Sequence, residues 1–422
     1  MRTRVLSALA ALASASGGWA ADPIKLNDLI REALARNPAI LAAQKRYEAA
    51  RQRPAQESSL PDPTLSVGYA SNGGPLPGQG LGIQPTSNIG FMVSQQLPYP
   101  GKLKLRGDIA AKEAEAEFQQ YQAIQLSVRS QVMQTYHMLH HAYAVLDILA
   151  EGKDVLSKMI RVSEARYAAG KAAQQDVFRA QTQLSILEAR IEEKQLDRDT
   201  AVAELNALLD RKPGTSLAEP EESDPSPLPL TVDALLAKAA GTSPELRRAI
   251  ETIQRNELAV NLARKDFHPD YTVSAGYAYM GGMPPMYQVR VDIPIHLHTG
   301  QKQRPALDEQ VDKLSQSRRE FEAADQDLQA RVRAAYLAAE TAYRLMKLYA
   351  DTIVPQSSLT IESSLTAYES GGADFLTVLT NVMTKLDSQE RYHEQLMTYE
   401  VARARLEEFT GVAIEGEEGI AK

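Results

Sequence analysis

The chain has 422 residues, 46 basic against 54 acidic side chains, a formal net charge of −8 and no cysteine. An acidic balance without a basic stripe excludes a nucleic-acid partner. The missing thiols exclude disulfides, thiolate metal sites and a lipid-modified N-terminal cysteine. No run of about 18 apolar residues follows the N-terminus, so no helix of the mature chain is expected to cross a membrane.

The first residues, Met1-Arg-Thr-Arg4, are basic, Val5 to Ala13 is a short apolar run, and Gly18-Trp-Ala20 ends it. This is the pattern of a secretory signal peptide over 1–20. A short helix is then expected over 26–36, leading through Asn37-Pro38 into a second over 38–58. Two strands follow, near 63–70 and 88–97, with Leu65, Val67, Tyr69 and Ile89, Phe91, Val93 alternating with smaller or polar residues. The Gly/Pro-rich stretch 71–87 between them reads as a hairpin tip.

After Leu97-Pro-Tyr-Pro-Gly101 comes the longest element, a helix predicted over 102–168. It contains no proline and only two glycines, Gly107 and Gly152. Val128, Val132, Leu139, Ala142, Leu146 and Leu149 recur at the spacing of a coiled-coil seam. At 1.5 Å per residue such a helix is about 100 Å long, which makes it a strut or wall rather than the core of a globular domain. Gly170 ends it, and a return helix follows over 174–210. A Pro-, Glu- and Ser-rich linker spans 212–230.

The plan then repeats. Leu26 to Ile40 matches Val232 to Leu246, Pro61-Asp-Pro-Thr-Leu65 matches Pro269-Asp-Tyr-Thr-Val273, and Tyr167-Ala-Ala-Gly170 matches Tyr368-Glu-Ser-Gly371. We expect two copies, 21–211 and 231–411, and a flexible tail over 412–422. The second copy holds short helices over 231–241 and 244–266, and strands near 271–280 and 286–295 joined by a tip at 281–285. Its long helix, 301–370, is expected to kink at Pro355, and its return helix spans 374–410.

The last strand is the clearest, because Tyr287, Val289 and Val291 alternate with Gln288, Arg290 and Asp292. That is the period-two pattern of a transmembrane barrel strand. Four strands cannot close a barrel, and open edges cannot sit in lipid. Two chains would give eight strands and a filled interior; three give twelve and an aqueous lumen lined by Gln288, Arg290 and Asp292. The fold expected is mostly α, with long coiled-coil helices in a trimeric α-barrel beneath a twelve-stranded β-barrel.

The repeat, the Asn-Pro opening, the Pro-Asp-Pro strand entry, Gln96-Leu-Pro-Tyr-Pro-Gly-Lys102 and the two Tyr-x-x-Gly tips together resemble the TolC-like outer-membrane efflux proteins. Within that family the Leu97–Lys102 corner and its counterpart Pro294-Ile-His-Leu-His-Thr-Gly300 most resemble the heavy-metal (Czc/Cus-type) branch. The resemblance implies a homotrimer in outer-membrane lipid. It also implies docking through a periplasmic adaptor onto an inner-membrane pump of the resistance-nodulation-division class, with no cofactor and no catalysis. It places adaptor contacts at the tips Gly170, Lys171, Gly371 and Gly372. Relatives carry gate aspartates six and nine residues past the second tip glycine, where this chain has Thr377 and Thr380; Asp374 and Asp176 are the nearest carboxylates. His137, His140 and His141 are metal-ligand candidates, with His137 and His141 at i, i+4, although a solvated or interhelical face is preferred, and His296 and His298 fall at the expected periplasmic rim of the barrel. No phosphate loop, zinc-hydrolase motif or nucleophile elbow is present. Two alternatives remain open: the same channel carrying drugs or secreted polypeptide, and a periplasmic coiled-coil scaffold that never enters the membrane.

Overall fold

A computed structural model describes residues 23–71, 74–222 and 224–414. The expected signal peptide and most of the expected tail lie outside the described residues. Helix α1 (Leu26–Arg36) meets α2 (Pro38–Ala50) at Asn37, whose Oδ1 accepts the N–H groups of Ala39 and Ile40 at 2.9 and 3.4 Å. Its Nδ2 donates to the carbonyl of Leu208 at 2.9 Å. One buried asparagine therefore starts a helix and ties it to the end of the distant α5 (Gln174–Leu208). The helix expected over 38–58 is in fact two. It stops at Ala50, and α3 (Arg53–Ser58) begins afresh, because Pro54 has no N–H to give and its ring opposes the carbonyl four residues back.

Helix α4 runs unbroken from Lys102 to Ala168. The second copy has α6 (Val232–Thr242) and α7 (Pro244–Lys265), then α8 (Gln303–Leu348), α9 (Val354–Ser370) and α10 (Phe375–Thr410). Between α8 and α9, where the kink at Pro355 is expected, Tyr349–Ile353 form a π-helical segment. Pro355 cannot donate to the carbonyl of Asp351, so the chain widens by one residue per turn just ahead of it rather than breaking.

Three apolar clusters hold the helices together. One joins α1, α2 and α5 to α4 through Leu29, Ile40, Val132, Leu139 and Leu205. A second, nearer the tips, joins α4, α5 and α10 through Leu149, Leu156, Leu187, Val378 and Val382. The third packs α6 on α8 and α10 through Leu235, Leu328, Val332 and Tyr399. The α4 seam is buried as spaced except at Leu146, which is half-exposed while Val145 takes the interior place. In α8 the buried seam starts only at Leu328; Val311 is exposed. At Gly152 a Cβ would meet Leu386 Cδ1 at 2.7 Å, so the missing side chain sets how closely α4 approaches α10. Gly152→Val should overpack this contact and cost about 1–3 kcal/mol, read as a lowered thermal midpoint.

The linker is strapped to the helices. Ile24 bridges to Pro220, and the Tyr136 hydroxyl donates to the carbonyls of Ile24 and Glu221 at 3.0 and 3.3 Å. Asn206 holds Pro213 and Thr215, and the Tyr399 hydroxyl donates to the Ser226 carbonyl.

The strands β1 (Thr64–Ala70), β2 (Asn88–Leu97), β3 (Tyr271–Met280) and β4 (Met283–Asp292) form one antiparallel sheet in the order β1-β2-β3-β4. The fourth strand lies at 283–292 rather than the expected 286–295. Pro284 and Pro285, expected in the tip, are within it, which their missing N–H groups allow because they sit at the irregularity opposite Ala278–Met280, where the regular pairing with β3 lapses. The turn shrinks to Gly281 and Gly282. Gly281 has φ +74° and lies so close to Gly82 that a Cβ would meet its backbone nitrogen at 2.4 Å, so the two hairpin tips touch through bare backbone.

Candidate functional site

The pairing register sorts the sheet into two faces. Val289 opposes Ala275, which opposes Val93, which opposes Leu65; Tyr287, Tyr277, Phe91 and Val67 form the next row. The other face carries Arg290 opposite Ser274 and Ser94, and Gln288 opposite Gly276 and Met92. Side chains alternate along each strand, so one face is mostly aromatic and aliphatic while the other is mostly small or polar, with Met92 and Met286 as its large apolar members. Val289 is 78% exposed and Tyr287 77% exposed, a large apolar surface that water would not tolerate. On the polar face Arg290 pairs with Asp292 at 3.0 Å.

Where the sheet meets the helices, the two copies are pinned by one lysine. Lys102, the first residue of α4, is 3% exposed. Its Nζ lies 2.9 Å from Asp270, 3.1 Å from Asp266 and 3.1 Å from the carbonyl of His268. Asp270 also accepts the Tyr99 N–H at 2.8 Å. Burial works to raise the pKa of Asp270, but the Tyr99 N–H and the Lys102 ammonium prevail and hold it below the ordinary carboxylate range. Tyr99 stacks on His268 at 4.3 Å, Lys265 donates to the Pro100 carbonyl, and Gly101 turns the chain at φ +87°. The corner that reads as a family motif is thus a clamp between β2–α4 and α7–β3. His296 Nδ1 lies 3.2 Å from the Phe267 carbonyl beside it, and His298 is exposed.

Both tips close alike. The N–H of Lys171 bonds to the carbonyl of Arg166 at 2.8 Å, and that of Gly372 to Ala367 at 2.7 Å, around Gly170 and Gly371 at φ +70° and +83°. This six-to-one closure needs a left-handed residue, which explains the glycines. Arg166 donates to the Tyr368 carbonyl at 2.9 Å and lies 4.3 Å over its ring, joining the tips. Asp374 caps α10 by accepting the Thr377 N–H at 2.7 Å. Its hydrogen bonds with Thr377 keep its carboxyl below the usual range. Asp374, Thr377 and Thr380 share one exposed face of α10, whereas Asp176, in the first turn of α5, is half-buried.

The histidines of α4 lie in different surroundings. His137 is 4% exposed, with Nε2 3.7 Å from Glu400, and Glu400 is itself paired with Arg403 at 3.2 Å. Arg403 takes up the Glu400 charge, so burial prevails, reinforced by Arg403 and His140, and pulls the His137 pKa down to about 3. His141 is held at about 4, by burial first and then by Lys194. Among the described residues no three His, Asp or Glu side chains gather at metal-binding geometry. A pKa depressed from 6.5 means that the unfolded chain binds the extra proton first. Stability from neutral His137 is therefore complete above pH 6.5 and lost progressively as pH falls towards 3. The thermal midpoint should drop on acidification through that window, and His137→Gln should flatten the drop.

Sequence reasoning missed the charged pairs that stitch the copies. These are Lys102 with Asp270, Arg129 with Glu407 at 2.9 Å, and Arg190 with Asp387 and Glu390 at 3.2 and 2.7 Å. No local spacing links residues so far apart in the chain.

An amphipathic four-stranded sheet on helices of this length defines the class: a channel subunit with a membrane β-portion and a helical extension. The outer membrane efflux protein family model matches residues 29–211 and again 235–412, and the chain belongs to that family. Its place is accordingly the outer membrane, with the helices reaching into the periplasm. Among solved structures, the outer-membrane channel OprN is similar at 16% identity, over 92% of this chain and 89% of that one, with a TM-score of 0.79. CusC, which forms a transmembrane channel, is similar at 17% identity over 92% of both chains, with a TM-score of 0.77. The outer-membrane protein VceC of Vibrio cholerae shares 19% identity over 92% of this chain and 97% of that one, with a TM-score of 0.78. No curated protein sequence matches the chain.

Proposed function

We propose that three copies of the chain close a twelve-stranded barrel and, below it, a helical tube that serves as the passive outer-membrane conduit of a tripartite efflux system. The observation that carries this reading is the sheet: its two faces are complete, yet β1 and β4 each have an unpaired edge, which lipid does not permit. Gln288, Arg290 and Asp292 line the lumen. The tips at Gly170–Lys171 and Gly371–Gly372 receive a periplasmic adaptor, which couples the tube to a resistance-nodulation-division pump. Cross-linking of native membranes should give a trimer that only detergent extracts; a monomer released by alkali overturns the reading and favours a periplasmic scaffold.

We assign heavy-metal cations as the cargo, on the likeness of the Leu97–Lys102 corner to the metal branch. A deletion strain should become sensitive to metal salts while its drug tolerance is unchanged; the reverse pattern makes drugs the cargo.

At the closed end, Asp374 with Thr377 and Thr380 on α10, and Asp176 on α5, face the constriction. Removing both carboxylates (Asp374→Ala with Asp176→Ala) should raise closed-state conductance in a planar bilayer and weaken cation preference. Unchanged current and selectivity would exclude these residues as the gate.

A further inference from the structure

At the end away from the helices the sheet carries two unequal tips. The β3–β4 turn is only Gly281 and Gly282, whereas the segment 74–87 before β2 doubles back on the sheet. The side chains that hold this loop decide which face it lies on. Tyr69, Ile89 and Tyr279 form the outermost row of the apolar face. The Tyr69 hydroxyl donates towards the carbonyls of Gly74 and Gln79, both at 3.2 Å. Ser71, next in phase with Tyr69, donates through Oγ to the Gln79 carbonyl at 2.7 Å and stands 3.2 Å from the Ser87 hydroxyl. Side chains alternate across a strand, so the loop hangs from the apolar face and not from the face of Gln288 and Arg290.

Its backbone suits a setting with little water. The N–H groups of Gln79, Leu81, Gly82, Ile83, Gln84 and Ser87 each donate to a backbone carbonyl at 2.8–3.3 Å, and Pro75, Pro77 and Pro85 have no N–H to satisfy. Internal pairing of this kind is what lipid demands of a backbone. Neither tip is charged: 71–87 and 281–286 contain no Asp, Glu, Lys, Arg or His. Yet Leu76 is 65% and Ile83 80% exposed. These aliphatic side chains extend the exposed apolar face of the sheet past its last row.

We propose that residues 74–84 form a collar that folds outward at the external rim and seats Leu76 and Ile83 among the acyl chains of the outer leaflet, just beneath the headgroups. The partner is lipid, because the surface is continuous with the apolar face and has no charge with which to hold a polar ligand. An apolar, uncharged segment lying along a membrane interface is held by its buried apolar area. The collar broadens the grip of a short sheet on the bilayer and does not lid the lumen. The inference rests on the barrel reading above, and its test separates the two.

The only tryptophan of the chain is Trp19, so in a Trp19→Phe background a single introduced indole reports its own surroundings. Leu76→Trp, Ile83→Trp and, on the strand face, Val289→Trp are to be refolded as the full-length channel into phosphatidylcholine vesicles with and without brominated acyl chains. Bromine quenches only an indole that touches it. We expect blue-shifted emission from both loop reporters and loss of most of it in brominated vesicles, with bromine near the headgroup quenching more than bromine near the chain end. Either loop reporter left unquenched while Val289→Trp is quenched overturns the collar and leaves the barrel standing. No quenching of Val289→Trp removes the barrel reading, and the collar with it. A second readout puts no indole in the loop: Leu76→Ser with Ile83→Ser should fold in detergent as the wild type does but insert into vesicles in lower yield, and an equal yield also overturns the collar.

Discussion

Asp270→Ala should cost about 3–5 kcal/mol, the penalty for stripping the partner from a buried charge. The lysine it leaves behind is 3% exposed at the start of α4, where water cannot replace the carboxylate. Asp266 remains 3.1 Å away, but its side chain is half in solvent and screens the ammonium poorly. Lys102→Met should cost less, because Asp270 keeps the Tyr99 N–H and its side chain is 22% exposed. Combining the two changes should recover most of the Asp270→Ala loss, since the double variant has no stranded charge. Thermal unfolding of the four proteins decides it, and simple additivity would mean that the clamp is not a coupled unit. The junction should also weaken at low pH. The Asp270 carboxyl is held below its ordinary range, so its contribution is present above the unfolded carboxylate pKa and disappears as pH falls through the folded one.

Val289→Arg should abolish stable membrane assembly, while Gln288→Arg, one residue away with the same added charge, should be tolerated. The register puts Val289 in the aliphatic row with Ala275 and Val93, and Gln288 on the opposite face with Gly276. An arginine on the lipid face of a barrel costs about 2–4 kcal/mol near the midplane, and every copy in a ring would bear that cost. The lumen change should stay within about 0.5 kcal/mol, the usual range for a solvated surface substitution. It should instead move ion selectivity towards anions. Refolding yield into lipid vesicles separates the two; a lower yield for Gln288→Arg would mean that the faces are assigned the wrong way round, and equal yields that they do not divide lipid from lumen.

The long helices and the four strands are legible in the sequence because each depends on a local rule. Lys102 to Ala168 lacks proline, its end is marked by Gly170, and it is one helix. Gln288, Arg290 and Asp292 alternate with valines and a tyrosine, and they share a face. What escapes is whatever depends on a partner far along the chain. Lys102 reads as the end of a motif, and nothing near it announces Asp270. The prolines are half-legible: Pro355 is read as a disturbance, whereas Pro54 is passed over although the chain restarts there as α3, and the spacing does not foretell the π segment ahead of Pro355. Pro284 and Pro285 argue against a strand unless the irregularity in the β3–β4 pairing that holds them is known. The histidines show the same limit, since spacing along α4 relates His137 to His141 but does not show that His393 of α10 lies near His140.

The unpaired edges of β1 and β4 have a genetic consequence. A chain whose strands are sound but whose helical tips are broken still offers good edges to its neighbours, so it is recruited as readily as a healthy one. Expressed alongside the normal gene product, such a copy should spoil every ring it joins and behave as a dominant inhibitor, whereas a copy damaged in the strands should be ignored and behave as a recessive.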